Sequence, residues 1–355
     1  MAKLPKIGKI STEAFNELIF PHLGAPRKEV LVGPRHGVDV AIIKIGDKAV
    51  AMTSDPVFIV PEYGFAKAAW FAIHILASDV VTSGLAPTYL AIDLNLPVSM
   101  TEEELALVWT TIDAECKKMS MAIVCGHTGR YENCHYPMVG GATVLAVGEM
   151  DRYVSPGFAK KGDRIIITKG PGIEASGIFA TMFPKYIARR LGEPFAVSAQ
   201  EIFYKMSVVD DALTATKVGV RDDGISAMHD ATECGVWGGI YEVASAAGLG
   251  ARVEKSMIPI DDRCRRICEL FKIDPYASIS EGTLIITCRA HKADAAVKVL
   301  ADNNIDASIV GELTGPEEGI VLIEDGQERT LEHPRIDPFW QAFYTALRNY
   351  QNMES

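Results

Sequence analysis

Between Phe65 and Gly84 the chain reads FAKAAWFAIHILASDVVTSG, a helix pattern that is apolar almost all the way round. A helix of that kind has no solvent face and must be covered on several sides. The chain must therefore build layers of structure around this element. Ser78 and Asp79 lie inside it, where a hydroxyl and a carboxylate are costly unless something pairs with them. A second stretch, Val220 to Val243, reads as a strand running into a helix that begins near Val236. Asp230 and Thr232 stand at the turn, and Gly235, Gly238 and Gly239 follow. A helix start offers free N–H groups and a partial positive charge, and an aspartate can hold Mg²⁺, so the pattern suits a phosphate and its metal. An ordinary N-cap is the competing reading.

With 355 residues the chain is too long for one ordinary core, and about two domains are expected. The net charge of −11 disfavours nucleic acid or an anionic membrane as the main partner. An acidic protein that handles nucleotides would need Mg²⁺ to screen its own carboxylates. Lys3, Lys6 and Lys9 are not followed by the apolar run of a secretory signal. The longest apolar stretch, Ala68 to Ala77, is broken by His74 and too short for a bilayer. Seven cysteines, an odd number, point to reduced thiols and a cytoplasmic protein.

In chain order, a short helix is expected over Thr12 to Phe20. A hairpin follows over 38–60, with Asp39 opening its first strand and Asp55 closing its second, just before Pro56. After the apolar helix come a strand over 87–96 and a helix over about 102–119 started by a Thr101/Glu104 capping box. A strand MAIVCG, a polar loop GHTGRYENCHYP and a strand MVGGATVLAVGEM complete the first half. The surface turn SPGFAKKGDR marks a domain boundary. The expected division is 1–155, 156–330 and a helical tail 331–355, the tail helix running from Pro338 to Tyr350. In the second half a strand RIIITKGPG, a helix EASGIFATMF, helical residues 198–215, a strand at 251–253, a helix at 261–271, and EGTLIITC, HKADAAVKVLADNN and DASIVGEL as strand, helix and strand are expected.

Asp39, Asp55, Asp79 and Asp230 each sit beside small or apolar residues rather than in a solvated charge run. Carboxylates so placed are expensive to bury without a cation. One aspartate from each of several segments is a common way to build a Mg-nucleotide site. Local capping by each is the alternative. Cys125, His127, Cys134 and His135 crowd one loop with zinc-type donors, but their spacing lacks the usual Cys-x-x-Cys pair, which favours free thiols in a polar loop. Cys264 and Cys268 read as core thiols. Neither a P-loop nor a Gly-x-Ser-x-Gly elbow is present, and Ser226, His229 and Asp230 are too close in sequence for a triad.

The ordered series SDP, ASDVVTSGLAP, GHTGR, GPGIEASG, HDATECGVWGG and EGTLIIT resembles the family of aminoimidazole ribonucleotide synthetase, thiamine-monophosphate kinase, selenophosphate synthetase and the hydrogenase maturation protein HypE. The resemblance covers roughly residues 30–325 and is nearest to the HypE branch. It implies a two-domain PurM-like fold of mixed α+β and α/β character. The N-terminal mixed sheet would pair with that of a second subunit into a barrel, making a homodimer, and an α/β domain would follow. It implies ATP and Mg²⁺ in a cleft between the domains, and transfer of the γ-phosphoryl group to an oxygen, in several members that of an amide. Asp39, Asp55, Asp79 and Asp230 match the family's metal aspartates. Gly126, Thr128 and Thr232 would belong to the nucleotide site, and the backbone of Gly235, Gly238 and Gly239 would cradle phosphate. Lys169, after its strand, is a candidate for the γ-phosphate or simply a surface lysine. His127 is a candidate acid or base or simply a loop histidine.

Ser78 replaces the Asn of the helix motif, and three larger departures stand out. His127 stands where the family has the Asp of Gly-Asp-Thr, and imidazole is a poor Mg²⁺ ligand. Glu233-Cys234 replace Arg-Gly. Pro334-Arg335-Ile336-Asp337 matches the terminal Pro-Arg-Ile-Cys of HypE without its carbamoyl-carrying thiol. The expectation is an ATP- and Mg-dependent phosphoryl-transfer enzyme acting on a small molecule or a partner protein. A thiamine-monophosphate-type kinase and a catalytically silent nucleotide-binding scaffold for metallocentre maturation are the alternatives.

Overall fold

The computed structural model describes residue 4 and residues 8–354. A one-turn helix α1 (Thr12–Ala14) opens it and continues as a π-turn over Phe15–Ile19. The N-terminal half then runs β1 (Val30–Val32), β2 (Ala41–Ile45), β3 (Lys48–Phe58), α2 (Phe65–Val81), β4 (Pro87–Pro97), α3 (Glu102–Lys118), β5 (Ala122–Tyr131) and β6 (Met138–Glu149). These six strands form one open sheet in the order β1-β2-β3-β6-β4-β5. Only β4 and β5 are parallel. The capping box is present, with Thr101 Oγ1 accepting from Glu104 N at 3.2 Å and Glu104 Oε2 accepting from Thr101 N at 2.8 Å.

The C-terminal half contains β7 (Arg164–Thr168), α4 (Ile173–Met182), α5 (Pro184–Leu191), α6 (Glu193–Ala199), α7 (Val209–Ala215), β8 (Ile225–Asp230), α8 (Gly235–Ala247) and β9 (Gly250–Glu254). It goes on with α9 (Asp262–Phe271), β10 (Leu284–Cys288), α10 (Ala293–Ala301), β11 (Ala307–Thr314), β12 (Ile320–Glu324), β13 (Gln327–Thr330) and α11 (Pro338–Glu354). Its sheet runs β13-β12-β9-β11-β7-β10-β8, antiparallel except for β12 on β9. The expected strand-helix-strand unit is β10-α10-β11, with β7 inserted between its two strands.

The apolar helix is covered as its composition demands. Ala72, Leu76 and Val80 of α2 pack on Ile42, Leu90 and Val144 of the first sheet. The same core continues into Ala212, Met228 and Ile286 of the second half, so α2 is shared by both domains. A second core joins α4, α9 and α11, where Phe179 stacks on Phe271 at 3.8 Å beside Phe339. A third lies between α8 and the strands below it, with Trp237, Ile240, Val253 and Ile285.

Three local readings are corrected. Pro56 does not end β3, which pairs with β6 through it; β2 reaches only to Met52, so this stretch has no β2 neighbour needing the missing N–H. The supposed polar loop from Gly126 to Tyr131 is strand, paired to β4 in parallel. It is an edge strand exposed along most of its length, so no hydrophobic alternation marks it. Residues 198–215 are not continuous helix: α6 passes into a 3-10 turn, and α7 begins at Val209.

Candidate functional site

The expected aspartates come from different elements and converge where the two halves meet. Asp39 precedes β2, Asp55 lies in β3, Asp79 in α2 and Asp230 at the end of β8. Capping does not explain Asp230, because the N-cap of α8 is Cys234, with no side-chain cap bond. His229 joins the halves. Its Nδ1 lies 2.9 Å from both Asp39 carboxylate oxygens and its Nε2 lies 2.8 Å from Glu242 Oε2. A ring with a carboxylate on each nitrogen donates from both, so His229 is an imidazolium. Burial alone would lower its pKa; Asp39 and Glu242 hold it well above 6.5.

The remaining carboxylates are short of partners. Asp79 Oδ2 accepts a hydrogen bond from Thr53 Oγ1 at 2.8 Å. Its pKa is still pushed well above 3.8, by burial and then by Asp230, Asp39 and Asp55. Asp230 and Glu281 are each 1% exposed. By hydrogen-bond geometry none of their four carboxylate oxygens is satisfied among the described residues, although Ser78 lies close enough to Glu281, and Glu281 to Asp230, to hold their pKa values down in part. Burial, then Asp39, raises Asp230 to about 7. Burial, then Asp230 and Glu174, raises Glu281 well above 4.5. Burial lifts Glu174 to about 8, although the Glu281 N–H donates to it at 3.1 Å. Burial also raises Asp55. Such a cluster is stable only with protons or cations to neutralise it. Its donor set is entirely oxygen, with orphaned buried atoms, and that fits Mg²⁺.

A lysine also reaches the cluster. Lys9 Nζ donates to Thr232 Oγ1 at 3.1 Å, and Lys9 N donates to Glu233 Oε2 at 3.1 Å. Burial would lower the ammonium's pKa, but Glu242, Asp79, Asp230 and Asp39 hold it above 10.5. Lys9 is an exposed residue, and its ammonium lies close enough to these carboxylates to be held charged by them.

The helix start differs from a free phosphate cradle. Cys234 is in the left-handed region at φ 65°, a conformation that favours the Gly found there in HypE. A Cβ on Gly235 would lie 2.4 Å from Ser278 O, and one on Gly239 would lie 2.5 Å from Ile285 Cδ1, so both glycines serve close packing. Gly238 is buried beside them. The Cys234 N–H is taken by Asp337 Oδ2 at 2.7 Å, while Asp337 Oδ1 accepts from Phe339 N at 2.8 Å. Burial raises Asp337 to about 6 against these two bonds.

Lys169 is not a surface lysine: its ammonium is largely buried and donates to Asp211 at 2.8 Å and Ser207 O at 2.6 Å. His127 is exposed on β5, its Nε2 2.8 Å from Tyr131 Oη. Gly126 and Thr128 flank it on this edge strand, and a Cβ at Gly126 would lie 1.9 Å from Ile92 O. No three of Cys125, His127, Cys134 and His135 approach within ligand distance among the described residues, where all seven cysteines are free. Cys264 and Cys268 are buried thiols. Ser226 Oγ donates to Asp163 at 2.7 Å, so it is not part of a triad with His229. Ser78, in place of Asn, accepts from Val208 N at 3.1 Å across the domain junction.

Sequence reasoning missed Lys9, Glu174, His229, Glu242 and Glu281 as members of the site. His229 and Glu281 had a signal, since each lies in a family motif next to a strand end. Lys9 had none beyond a basic N-terminus.

Two family models match the chain: AIR synthase related protein, N-terminal domain, over residues 37–150, and the corresponding C-terminal domain over residues 160–324. A Methanocaldococcus jannaschii protein named for hydrogenase expression and formation is 23% identical over 93% of this chain and 96% of its own. The carbamoyl dehydratase HypE of Escherichia coli is 25% identical over 84% of this chain and 85% of its own. A solved structure of HypE in complex with ATP superimposes with a TM-score of 0.65 at 21% identity, covering 94% of this chain and 97% of that one. No helix among the described residues is long and apolar enough to cross a membrane.

Proposed function

Because the chain belongs to the AIR synthase related family, we propose that it is a nucleotide-dependent enzyme that transfers the γ-phosphoryl group of ATP to an oxygen, of an amide or a comparable acceptor. The observation that carries this reading is the set of orphaned, buried carboxylate oxygens of Asp230 and Glu281 beside Asp79. Buried carboxylate oxygens of this kind are rare in native folds and are enriched at ligand sites. Asp55, Asp79 and Asp230 would hold Mg²⁺, and Asp39, oriented by His229, would support them. Mg²⁺ neutralises phosphate charge when bound. Thr232, which accepts from Lys9 Nζ, would offer its hydroxyl to the phosphates, with Lys9 as the nearby cation. In the step itself the bond from the γ-phosphorus to its bridging oxygen breaks, ADP leaves with the electron pair, and a new P–O bond forms to the acceptor.

The acceptor is a separate molecule. Asp337 stands where HypE carries its thiol, and both its carboxylate oxygens are held by backbone N–H groups. The working unit is a homodimer. The first sheet leaves β5 as a free edge, with Tyr89, Val124, Tyr131, Met138 and Val147 exposed on it and its neighbours. Binding and turnover of ATP by the purified chain, with and without Mg²⁺, test the reading. Mg-dependent binding that is lost in both Asp55→Asn and Asp230→Asn is expected. No binding by the unaltered chain would overturn it, and binding without turnover over a range of amides and alcohols would leave a scaffold.

A further inference from the structure

Beside the carboxylate cluster lies a second group of ligating side chains with different chemistry. His36 lies in the loop between β1 and β2, Glu242 in α8 and His333 in the segment between β13 and α11. Their ligand atoms lie within 4.8 Å of one another. His36 Nε2 is 3.4 Å from Glu242 Oε1, and His333 Nε2 is 3.6 Å from the same oxygen. Neither contact is a hydrogen bond. His333 Nε2 is buried and has no partner among the described residues. The 3.4 Å spacing matches the edge of a coordination tetrahedron, because bonds of about 2.0–2.1 Å place neighbouring donors about 3.3–3.4 Å apart, and the 3.6 Å spacing is slightly longer than that edge.

The surroundings hold these groups in place. Glu242 Oε2 is anchored by His229 at 2.8 Å, which leaves Oε1 turned toward the two imidazoles. The His333 ring is met edge-on by Tyr241 at 5.5 Å and by His36 at 6.0 Å. The loop carrying His36 is pressed against α8: at Gly37, φ is +74° and a Cβ would lie 2.6 Å from Glu242 O. The rival group of Asp39, His229 and Asp230 does not serve, since both ring nitrogens of His229 already face carboxylates.

We propose that His36, Glu242 and His333 form a binding site for a zinc-type divalent cation, separate from the all-oxygen site of Asp55, Asp79 and Asp230. Two imidazoles and one carboxylate leave a coordination position open and select zinc and its first-row neighbours over Mg²⁺. The Arg335 N–H donates to His333 Nδ1 at 3.0 Å, so the proton of a neutral ring sits on Nε2. Loading moves that proton to Nδ1 and gives up this one local hydrogen bond. The ion then pins three separate segments together, including the stretch that delivers Asp337 to the start of α8. The inference stands independently of the nucleotide reading.

The test is calorimetric titration of the chelator-stripped full chain with Zn²⁺ alone, in excess Mg²⁺, for the unaltered protein and for His36→Gln, His333→Gln and Asp230→Asn. One Zn²⁺ per chain is expected, weakened by about tenfold or more in each histidine variant and unchanged in Asp230→Asn. His36 is partly exposed on a loop, so His36→Gln reports on the ion even where His333→Gln perturbs the tail. Visible absorption on Co²⁺ substitution, lost in His36→Gln, would support the same site. Equal Zn²⁺ affinity in His36→Gln and the unaltered chain, or a loss confined to Asp230→Asn, would overturn the proposal. Failure of the nucleotide reading alone would appear as Zn²⁺ binding without ATP binding.

Discussion

Replacing Asp230 by Asn is expected to stabilise the metal-free protein while abolishing Mg-nucleotide binding. The carboxyl of Asp230 is 1% exposed, and its pKa stands at about 7 against an ordinary 3.8. That rise corresponds to about 4 kcal/mol once the group is ionised. Below pH 3.8 both folded and unfolded chains hold the proton and the residue is neutral to stability. Between 3.8 and about 7 only the unfolded chain ionises, so stability falls as pH rises, and above 7 the full cost is present. Asn avoids the ionisation but leaves a buried amide short of partners, a penalty of about 1–2 kcal/mol. The net gain at pH 8 is then about 2–3 kcal/mol, and at pH 5 about zero. With an unfolding entropy of about 2.1 cal/mol/K per residue, the gain at pH 8 raises Tm by roughly 3–4 °C. The assay is thermal unfolding in chelator at pH 5 and pH 8, repeated at pH 8 with Mg²⁺ and ATP. The unaltered chain should gain stability from Mg-ATP and the variant should not. A variant less stable at pH 8 in chelator, or equally shifted at both pH values, would refute the reasoning that this carboxylate is held against its own stability.

Lys9→Met removes a positive charge facing Asp39, Asp79, Asp230 and Glu242, so Mg²⁺ alone should bind several-fold tighter by titration calorimetry; unchanged or weaker binding would count against Lys9 as the cluster's counterion. Arg289 Nη1 donates to both oxygens of the buried Asp163, at 2.7 and 2.6 Å. Arg289→Met should therefore lose about 3–5 kcal/mol in urea unfolding, with partial recovery in the double variant with Asp163→Asn. Gly235→Ala combines φ +57° with a Cβ 2.4 Å from Ser278 O; it should lose about 2 kcal/mol or more by the same assay and move the start of α8, which weakens nucleotide binding.

Much of the architecture was legible because burial leaves a mark on composition. The helix from Phe65 was too apolar to face water, and the structure covers it from both halves. The turn residues and the capping box at Thr101 announced their elements for local reasons. Edge strands leave weaker marks. β5 is exposed on most of its length and was read as loop from Gly126 onward, and the hairpin of β12 and β13 went unread, since four exposed residues in β13 show no alternation.

The sequence by itself singled out the four aspartates as candidates, because a carboxylate beside small and apolar neighbours is unusual wherever it occurs, and it determined the order of motifs that marks the family. Only the tertiary structure decided what surrounds them. His229 bridges Asp39 and Glu242 across 190 residues of chain on one side, Lys9 enters from the N-terminus, and Glu281 arrives orphaned from the start of β10. It also decided the surroundings of Lys169, whose partner Asp211 no local pattern reveals. The reason is that charge acts through space: a pKa or an ion pair depends on which groups the fold brings within a few ångströms, and sequence spacing carries that information only inside a single turn or strand.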